Sequence, residues 1–344
     1  MPVACRVALS VSLAVTFVAT THAGAVQIGV SDLAGMPGNK PQYVIISFDG
    51  AHDIAQWKRS RALAAKTGAR FTYFLSCVFL LSRDMRKEYK PPGHAVGGSN
   101  VGFAQTRQEV ADRLDEIRGA AAEGHEIASH GCGHFDGGKW TKAQWLDEFA
   151  SFKRIMRDAY TINGIEGEPA DWRGFAESAI SGFRAPYLST SAALYNALDE
   201  ASFRYDASAI SRGPVEPHVE SGTERFALPQ IPEGPKARRV IAMDYNLFVR
   251  HSGGFDRPDE AAAFQARTYD AFTAAFEREY SGARAPLQLG FHFTLMNDGA
   301  YWKALEQFAE EVCVKADVVC TSYADYLRRT RKAEGATAAP DAGG

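Results

Sequence analysis

The sequence has little excess charge of either sign and no dominant glycine or proline pattern. Lysine and arginine number 38 against 41 aspartates and glutamates, so the positive balance of a non-specific nucleic-acid binder is missing. The 31 glycines and 15 prolines follow no period, which excludes a collagen-like or low-complexity chain. Hydrophobic residues make up 46% of the 344 positions, which excludes a disordered chain. The composition therefore predicts a globular protein.

The first 25 residues differ from the rest of the chain. Arg6 is the only side chain there that is charged at neutral pH, and a mostly apolar run follows over residues 7–19. This run is too short for a membrane span, and Ala23-x-Ala25 is a small-residue cleavage pattern. We interpret residues 1–25 as a secretory signal peptide, with a buried N-terminal helix as the alternative. The protein is then expected to be exported, periplasmic or secreted, and to have no membrane span.

The chain has only five cysteines. Signal cleavage would remove Cys5 and leave four, and an even number in an exported protein indicates two disulfides. Cys313 and Cys320 are close in sequence and flank one short connection, so we pair them. Cys77 is then paired with Cys132.

Short apolar runs alternate with longer amphipathic stretches over residues 26–334. Strands are expected over residues 43–48, 70–75, 125–129, 182–184, 203–206, 239–243, 287–292 and 318–321. Helices are expected over residues 54–67, 106–123, 142–158, 191–201, 258–280 and 301–314. This alternation predicts parallel βα units, which favour one barrel over two open sheets. Residues 79–105 and 212–236 are expected to be long loops at the barrel rim, and residues 335–344 a frayed tail.

Two histidines, His130 and His134, stand four positions apart in the segment SHGCGH, just after a predicted strand. Neutral imidazole nitrogen is a favoured zinc ligand, and the glycines between the two residues let both rings turn toward one cation. Cys132 is a further possible ligand, but the disulfide is its expected role. Two surface histidines in a polar loop are the alternative interpretation.

Asp49 ends the first predicted strand, in the segment FDG. A carboxylate at this end of a barrel strand points into the barrel mouth, where active sites form. It could be a general base, a metal ligand or a helix N-cap. His52 and Asp53 lie close by in the sequence and could also reach a metal.

Two more strand ends carry candidate groups. Arg184 in the segment RAPY could orient a carboxylate through a paired hydrogen bond, and the backbone N–H of Tyr187 could stabilise an oxyanion. His292 lies between two phenylalanines, which would partly desolvate it, and could serve as a general acid. A surface arginine before a proline turn and a core histidine are the alternatives. Together, the candidates fall on one face of a βα barrel and suit metal-assisted hydrolysis of an amide or ester.

The ordered segments SFDG, SHGCGH, RAPY, RYDAS and LGFH resemble those of the polysaccharide deacetylases, carbohydrate esterase family 4 (the NodB homology domain). The resemblance covers about residues 43–327. It implies an α/β fold, a distorted (β/α)7-type barrel forming a single domain with long rim loops. It also implies a divalent metal, with zinc as the expected ion, and removal of N-acetyl or O-acetyl groups from sugars.

The resemblance also assigns roles to individual residues. His130 and His134 match the family's metal ligands, and Arg184 matches the arginine that pairs with the catalytic base. Tyr187 matches the residue whose backbone N–H helps to hold the oxyanion and is also expected to contact the substrate. His292 matches the general acid.

The first segment departs from the family pattern, which has two adjacent aspartates, a base followed by a metal ligand. Here Gly50 stands at the second position. Without a gap, Asp49 is the base, and Asp53, His52 or water must replace the metal carboxylate. With a one-residue gap, Asp49 is the metal ligand and the base comes from elsewhere. We expect Asp49 to be the base and Asp53 the third ligand.

The leading interpretation is an exported, metal-dependent deacetylase of a glycan such as chitin oligosaccharide, peptidoglycan or exopolysaccharide. Trp140, in a loop beside the histidine segment, is expected to contact this substrate. The alternatives are a catalytically silent carbohydrate-binding relative and a metal amidohydrolase of small cyclic amides. No nucleic-acid partner is expected, and the sequence carries no signal of oligomeric state.

Overall fold

The computed structural model describes residues 40–337, so the predicted signal peptide and residues 338–344 lie outside the described part of the chain. The strands are β1 (Gln42–Gly50), β2 (Thr72–Leu75), β3 (Glu126–Ser129), β4 (Gly182–Phe183), β5 (Tyr205–Ser211), β6 (His218–Glu220), β7 (Thr223–Glu233), β8 (Arg238–Ile241), β9 (Leu287–His292) and β10 (Val318–Thr321). The α-helices are α1 (Ile54–Thr67), α2 (Arg107–Ala122), α3 (Lys142–Arg157), α4 (Ala159–Asn163), α5 (Trp172–Ser178), α6 (Ala192–Glu200), α7 (Asp244–Ser252), α8 (Ala261–Tyr280), α9 (Met296–Val312) and α10 (Tyr323–Thr337).

Seven parallel strands form the barrel wall, in the order β9-β1-β2-β3-β4-β5-β7, and β10 pairs with the first half of β1. No ladder joins β7 to β9 among the described residues, so the sheet is not closed. Across that gap, Nε2 of Gln288 donates to the backbone oxygen of Ala227 at 2.9 Å. The predicted distorted (β/α)7-type barrel is confirmed, and its distortion lies at this seam.

Strand β1 pairs with β2, β9 and β10 and is buried along almost its whole length. Because side chains alternate between the two faces of a strand, β1 serves two apolar clusters. Val44 and Phe48 join the large cluster formed with the surrounding helices, whereas Tyr43 and Ile45 join a smaller cluster with Tyr323. Asp49 has the same parity as Tyr43 and Ile45, so it lies on the barrel's inner face, at the strand's C-terminal end.

The expectation of a continuous loop over residues 212–236 is wrong, because this stretch contains β6 and the eleven-residue β7. The prolines of this stretch favoured a loop in the sequence prediction, because proline is uncommon inside strands. Strand β7 pairs with β5 as far as Pro229 and with β8 from Gln230 onward. A proline has no N–H to donate to a ladder, and it is tolerated where a strand changes partners. Strand β8, expected in the barrel wall, instead forms an antiparallel hairpin with β7.

The ends of several helices follow the sequence signals. Gly68 has a φ of 72° and ends α1, and the Ser191 side chain accepts a hydrogen bond from the backbone N–H of Leu194 at the start of α6. Helices α7 and α10 were not expected. The last of these continues to Thr337, past the predicted domain end at residue 334.

The structure joins Cys77 to Cys132 and Cys313 to Cys320, as predicted. The first bridge fastens the segment after β2 to the segment that carries His130 and His134. Within residues 40–337, no helix has the length and the apolar composition needed to cross a bilayer.

Candidate active site

Arg184 is the centre of a buried polar cluster at the C-terminal end of the barrel strands. Its side chain is 0% exposed, and its Nη1 donates to Oδ1 of Asp49 at 2.7 Å and to Oγ of Ser47 at 2.8 Å. Its Nη2 donates to Oη of Tyr323 at 2.7 Å, and its Nε donates to the backbone oxygen of Ala207 at 3.0 Å. The guanidinium therefore has a single fixed orientation, with Asp49 on one side.

Asp49 is 3% exposed. Burial alone would raise the pKa of its carboxyl, but the charge of Arg184, with smaller contributions from His130 and His292, holds that pKa below its ordinary value. The carboxyl is thus ionised at neutral pH. The pairing with Arg184 is the contact that the family resemblance implies for the base, and the role of Asp49 as the base stays a prediction.

His130 is buried, and its Nδ1 lies 2.8 Å from the backbone oxygen of Arg184. A carbonyl oxygen can only accept, so Nδ1 carries the proton and Nε2 keeps its lone pair. Burial lowers the pKa of His130 to about 3 and also lowers the pKa of His134. The two ring centroids are 5.0 Å apart. Two neutral imidazoles therefore lie side by side, which is the protonation state that binds a metal.

A buried carboxylate supports the histidine segment from behind. Glu148 accepts a hydrogen bond from the backbone N–H of Cys132 at 2.7 Å, and the hydroxyl of Tyr89 donates to both of its oxygens, at 2.8 and 3.0 Å. The hydroxyl of Tyr89 in turn accepts the backbone N–H of Gly133 at 3.2 Å. Together with the disulfide to Cys77, these bonds fix the turn between the two histidines.

His292 ends β9 and is paired with the buried Asp244. Its Nδ1 donates to Oδ1 of Asp244 at 2.7 Å, and its backbone N–H donates to Oδ2 of the same carboxylate at 2.7 Å. Burial alone would lower the pKa of His292, but the negative charge and the hydrogen bond of Asp244 raise it above its ordinary value. In the β1–β9 ladder His292 lies directly beside Asp49.

The segment RAPY places Tyr187 at the edge of the same cluster. The Tyr187 side chain is 60% exposed, and its ring centroid is 4.9 Å from that of His134. Its φ is 58°, a left-handed conformation that costs a non-glycine residue about 1–3 kcal/mol. Its backbone N–H has no hydrogen-bond partner among residues 40–337, so it is available for an oxyanion.

Among the described residues, the neighbouring imidazoles of His130 and His134 are the groups that could hold a metal. Within residues 40–337, no three histidine, cysteine, aspartate or glutamate side chains converge as a metal-binding set. Asp53 caps α1 instead, with its Oδ1 accepting the backbone N–H of Gln56 at 2.9 Å. Gly50 has a φ of 85°, which side chains rarely adopt. His130 and His134 therefore fit zinc chemically, and the third protein ligand expected at Asp53 stays a prediction.

Two other predicted residues have packing roles in the structure. The ring of His52 stacks on Phe79 with a centroid distance of 5.1 Å. Trp140 is partly buried, and its ring packs against the buried Trp145 with a centroid distance of 4.7 Å. A contact between Trp140 and a substrate stays a prediction.

No role was assigned to Asp244, Glu148 or Asp206 from the sequence. Asp206 accepts a hydrogen bond from the hydroxyl of Ser208, which accepts the backbone N–H of Ala185 at 2.8 Å, so the pair supports the RAPY turn. Burial raises the pKa of Asp206 to about 6. Asp244 stands at the start of an unexpected helix, and Glu148 lies on the inner face of an amphipathic one. The sequence signal for Glu148 was a charged residue at a position that the helical pattern turns toward the core.

No protein-family model matches the chain, and no curated protein matches it. Solved structures do match. A protein assigned as a polysaccharide deacetylase from Pseudomonas aeruginosa PAO1 has 16% identity and a TM-score of 0.52, over 87% of this chain and 94% of its own. A protein from Mycobacterium smegmatis with the same assignment has 15% identity and a TM-score of 0.51, over 87% of this chain and 93% of its own. The chain has the polysaccharide deacetylase fold.

The deacetylase fold is shared with a protein of a different named activity. The Puue allantoinase has 18% identity to this chain and a TM-score of 0.52, over 91% of this chain and 98% of its own. Identities this low establish the fold alone. In this fold, the side chains at the barrel mouth determine the function.

Proposed function

We propose that the chain is an exported, metal-dependent carbohydrate deacetylase that hydrolyses N-acetyl or O-acetyl groups of a glycan. The observation that carries this proposal is the pairing of Asp49 with His292 at the same level of two neighbouring strands. Arg184 lowers the pKa of Asp49 and Asp244 raises the pKa of His292. Neighbouring groups whose surroundings push their pKa values apart are suited to act as base and acid in one reaction.

The proposed reaction assigns one proton transfer to each group. Asp49 accepts a proton from the attacking water, whose oxygen forms a bond to the acetyl carbonyl carbon. The backbone N–H of Tyr187 donates to the oxyanion that develops. His292 gives its Nε2 proton to the leaving amine or alcohol as the C–N or C–O bond breaks, which releases acetate.

The metal would be held by His130 and His134. A divalent ion such as zinc, when bound, supplies a Lewis acid that polarises the acetyl carbonyl and makes water easier to deprotonate. The chain's own contribution is to keep both imidazoles neutral through burial and to fix the tautomer of His130 through the backbone oxygen of Arg184.

The substrate class proposed for this site is an acetylated glycan such as chitin oligosaccharide, peptidoglycan or exopolysaccharide. The test is acetate release by the oxidised protein lacking residues 1–25, assayed on each glycan after chelation and after adding zinc. We expect chelation to abolish release and zinc to restore it. The variant His130→Ala should lose both release and zinc binding while still unfolding cooperatively from a native state. Release that persists after chelation and in His130→Ala would contradict the metal-dependent proposal.

One observation favours a second candidate, a glycan-binding protein without catalysis. The position of the family's second aspartate is Gly50, and Asp53 is engaged as a helix cap. This candidate predicts glycan affinity that is unchanged in His130→Ala, with no acetate release from any glycan. The fold shared with the allantoinase supports a third candidate, hydrolysis of a small cyclic amide, which predicts turnover of allantoin and none of acetylated oligosaccharides.

A further inference from the structure

A groove lies between the β7–β8 hairpin and one face of α7, and its volume is about 680 Å³. This volume falls within the range of ligand sites, roughly 300–1,000 Å³. Residues 245, 246, 249 and 250 line it from the helix, a spacing that places them on one helix face. The hairpin supplies the other wall. The groove-lining residues include Gln230, Arg239, Ile241, Tyr245, Val249 and Arg250.

The groove reaches the candidate general acid. Tyr245 follows Asp244, whose carboxylate holds His292, and the ring centroid of Tyr245 is 6.2 Å from that of His292. The Tyr245 side chain is 53% exposed. A substrate chain whose acetyl group meets His292 can therefore place its neighbouring sugar residue against Tyr245.

Arginines supply the only charged side chains among the groove-lining residues. Nη1 of Arg239 donates to the backbone oxygen of Gln230 at 2.9 Å and also to that of Arg212. Nη2 of Arg250 donates to the backbone oxygen of Arg239 at 2.9 Å. These bonds orient both guanidinium groups, and each keeps an Nε–H without a partner among the described residues.

The buried carboxylate of Glu233 is shared between Arg250 and Arg267, so it offsets the charge of Arg250 only in part. Glu233 lies 3.9 Å from Nη1 of Arg250, but it is 1% exposed and accepts from Nη2 of Arg267 at 2.6 Å. The groove therefore presents positive charge beside an aromatic ring and two aliphatic side chains, the partly buried Ile241 and the exposed Val249. Oriented guanidinium groups bind carboxylates strongly, and the apolar side chains suit the C–H faces of a sugar ring.

We propose that this groove binds a carboxylate-bearing sugar residue next to the residue that is deacetylated. The substrate would then be an acidic glycan rather than a neutral one such as chitin. This inference rests on the proposed deacetylase function for its biological meaning. Carboxylate binding in the groove can, however, be measured without any turnover.

The test compares two ligands that differ only at C6, where one carries a carboxylate and the other a neutral hydroxymethyl group. Tetragalacturonate and its carboxyl-reduced, neutral counterpart are each titrated calorimetrically into the wild-type protein and into Arg239→Gln and Arg250→Gln. Arg238→Gln is the matched control, because Arg238 is exposed on the same hairpin but does not line the groove. We expect at least about tenfold tighter binding of the acidic ligand, since charge-assisted hydrogen bonds are the strong ones. Each groove variant should weaken it by roughly three- to tenfold, whereas Arg238→Gln should not.

Equal affinity for the two ligands, no binding of either, or unchanged affinity in both groove variants would overturn the inference. The unfolding midpoint of each variant separates lost binding from lost structure, and Arg250→Gln serves if Arg239→Gln is unstable. If the proposed deacetylase function is wrong but the groove inference is right, the groove still binds the carboxylate ligand and no glycan releases acetate. Release from chitin oligosaccharide without carboxylate binding would leave the deacetylase proposal standing and refute the acidic subsite.

Discussion

Replacing Arg184 with glutamine tests the buried ion pair that orders the candidate active site. The substitution removes a guanidinium that is 0% exposed and makes four hydrogen bonds within 3.0 Å, to Ser47, Asp49, Ala207 and Tyr323. It leaves the Asp49 carboxylate buried without its partner. Removing one member of a buried ion pair costs about 3–5 kcal/mol. Against a total stability of roughly 5–15 kcal/mol, this loss is large but leaves a measurable native state.

The stability lost in Arg184→Gln should depend on pH, because the substitution changes the pKa of Asp49. In the wild type the pKa of Asp49 is lowered, so its stabilising contribution is present above the unfolded value and is lost as the pH falls through the folded value. In Arg184→Gln, burial is left as the dominant influence and raises the pKa of Asp49. The variant should therefore recover stability, relative to wild type, as the pH falls from 7 to 5.

Urea unfolding at pH 7 and pH 5 measures both effects. We expect a stability loss of about 3–5 kcal/mol at pH 7 and a smaller loss at pH 5. The double variant Asp49→Asn with Arg184→Gln should be more stable at pH 7 than Arg184→Gln alone, because no unpaired charge remains. Arg278→Gln, at an exposed position of α8, is the matched control. A loss below about 1 kcal/mol, equal at both pH values, would refute the reasoning.

Two further predictions concern the acid and the disulfide. Asp244→Asn removes the charge that raises the pKa of His292. The alkaline limb of the pH profile of kcat/KM should therefore move to lower pH, and kcat should fall. An alkaline limb that does not move would show that His292 is not the acid. Replacing Cys77 and Cys132 with serine opens a bridge that spans 55 residues and should cost about 4 kcal/mol in urea unfolding; a loss below about 1 kcal/mol would contradict the bracing role.

Much of the barrel could be predicted because its signals are local. The apolar run of β1, the βα alternation and the helix expected over residues 191–201 each depend on neighbouring residues, and the structure has them near the predicted positions. Cysteine count and spacing sufficed for both disulfides. The hairpin of β7 and β8 was missed, because a strand containing Pro229 and Pro232 is explained only by the change of its pairing partner.

The site was predicted in part for a similar reason. Asp49, Arg184 and His292 end strands, and strand ends converge in a barrel whatever their separation in sequence. Asp244 contacts His292 across 48 positions and starts a helix that was not expected from the sequence. Asp53 could not be assigned from the sequence, because a carboxylate at this position can cap a helix or bind a metal. In the structure it accepts a hydrogen bond from the backbone N–H of Gln56 and so caps the helix.

The most direct test of the central claim is the rate of acetate release by Asp49→Asn and His292→Gln on the best of the acetylated glycans. The claim is that these two residues act as base and acid in one reaction. Each variant should lose kcat by about 10²–10⁴-fold, the usual contribution of general acid–base groups. Asp270→Asn, exposed on α8, should match the wild type. Wild-type rates in either site variant, or no release from any glycan by the zinc-loaded wild type, would contradict the account.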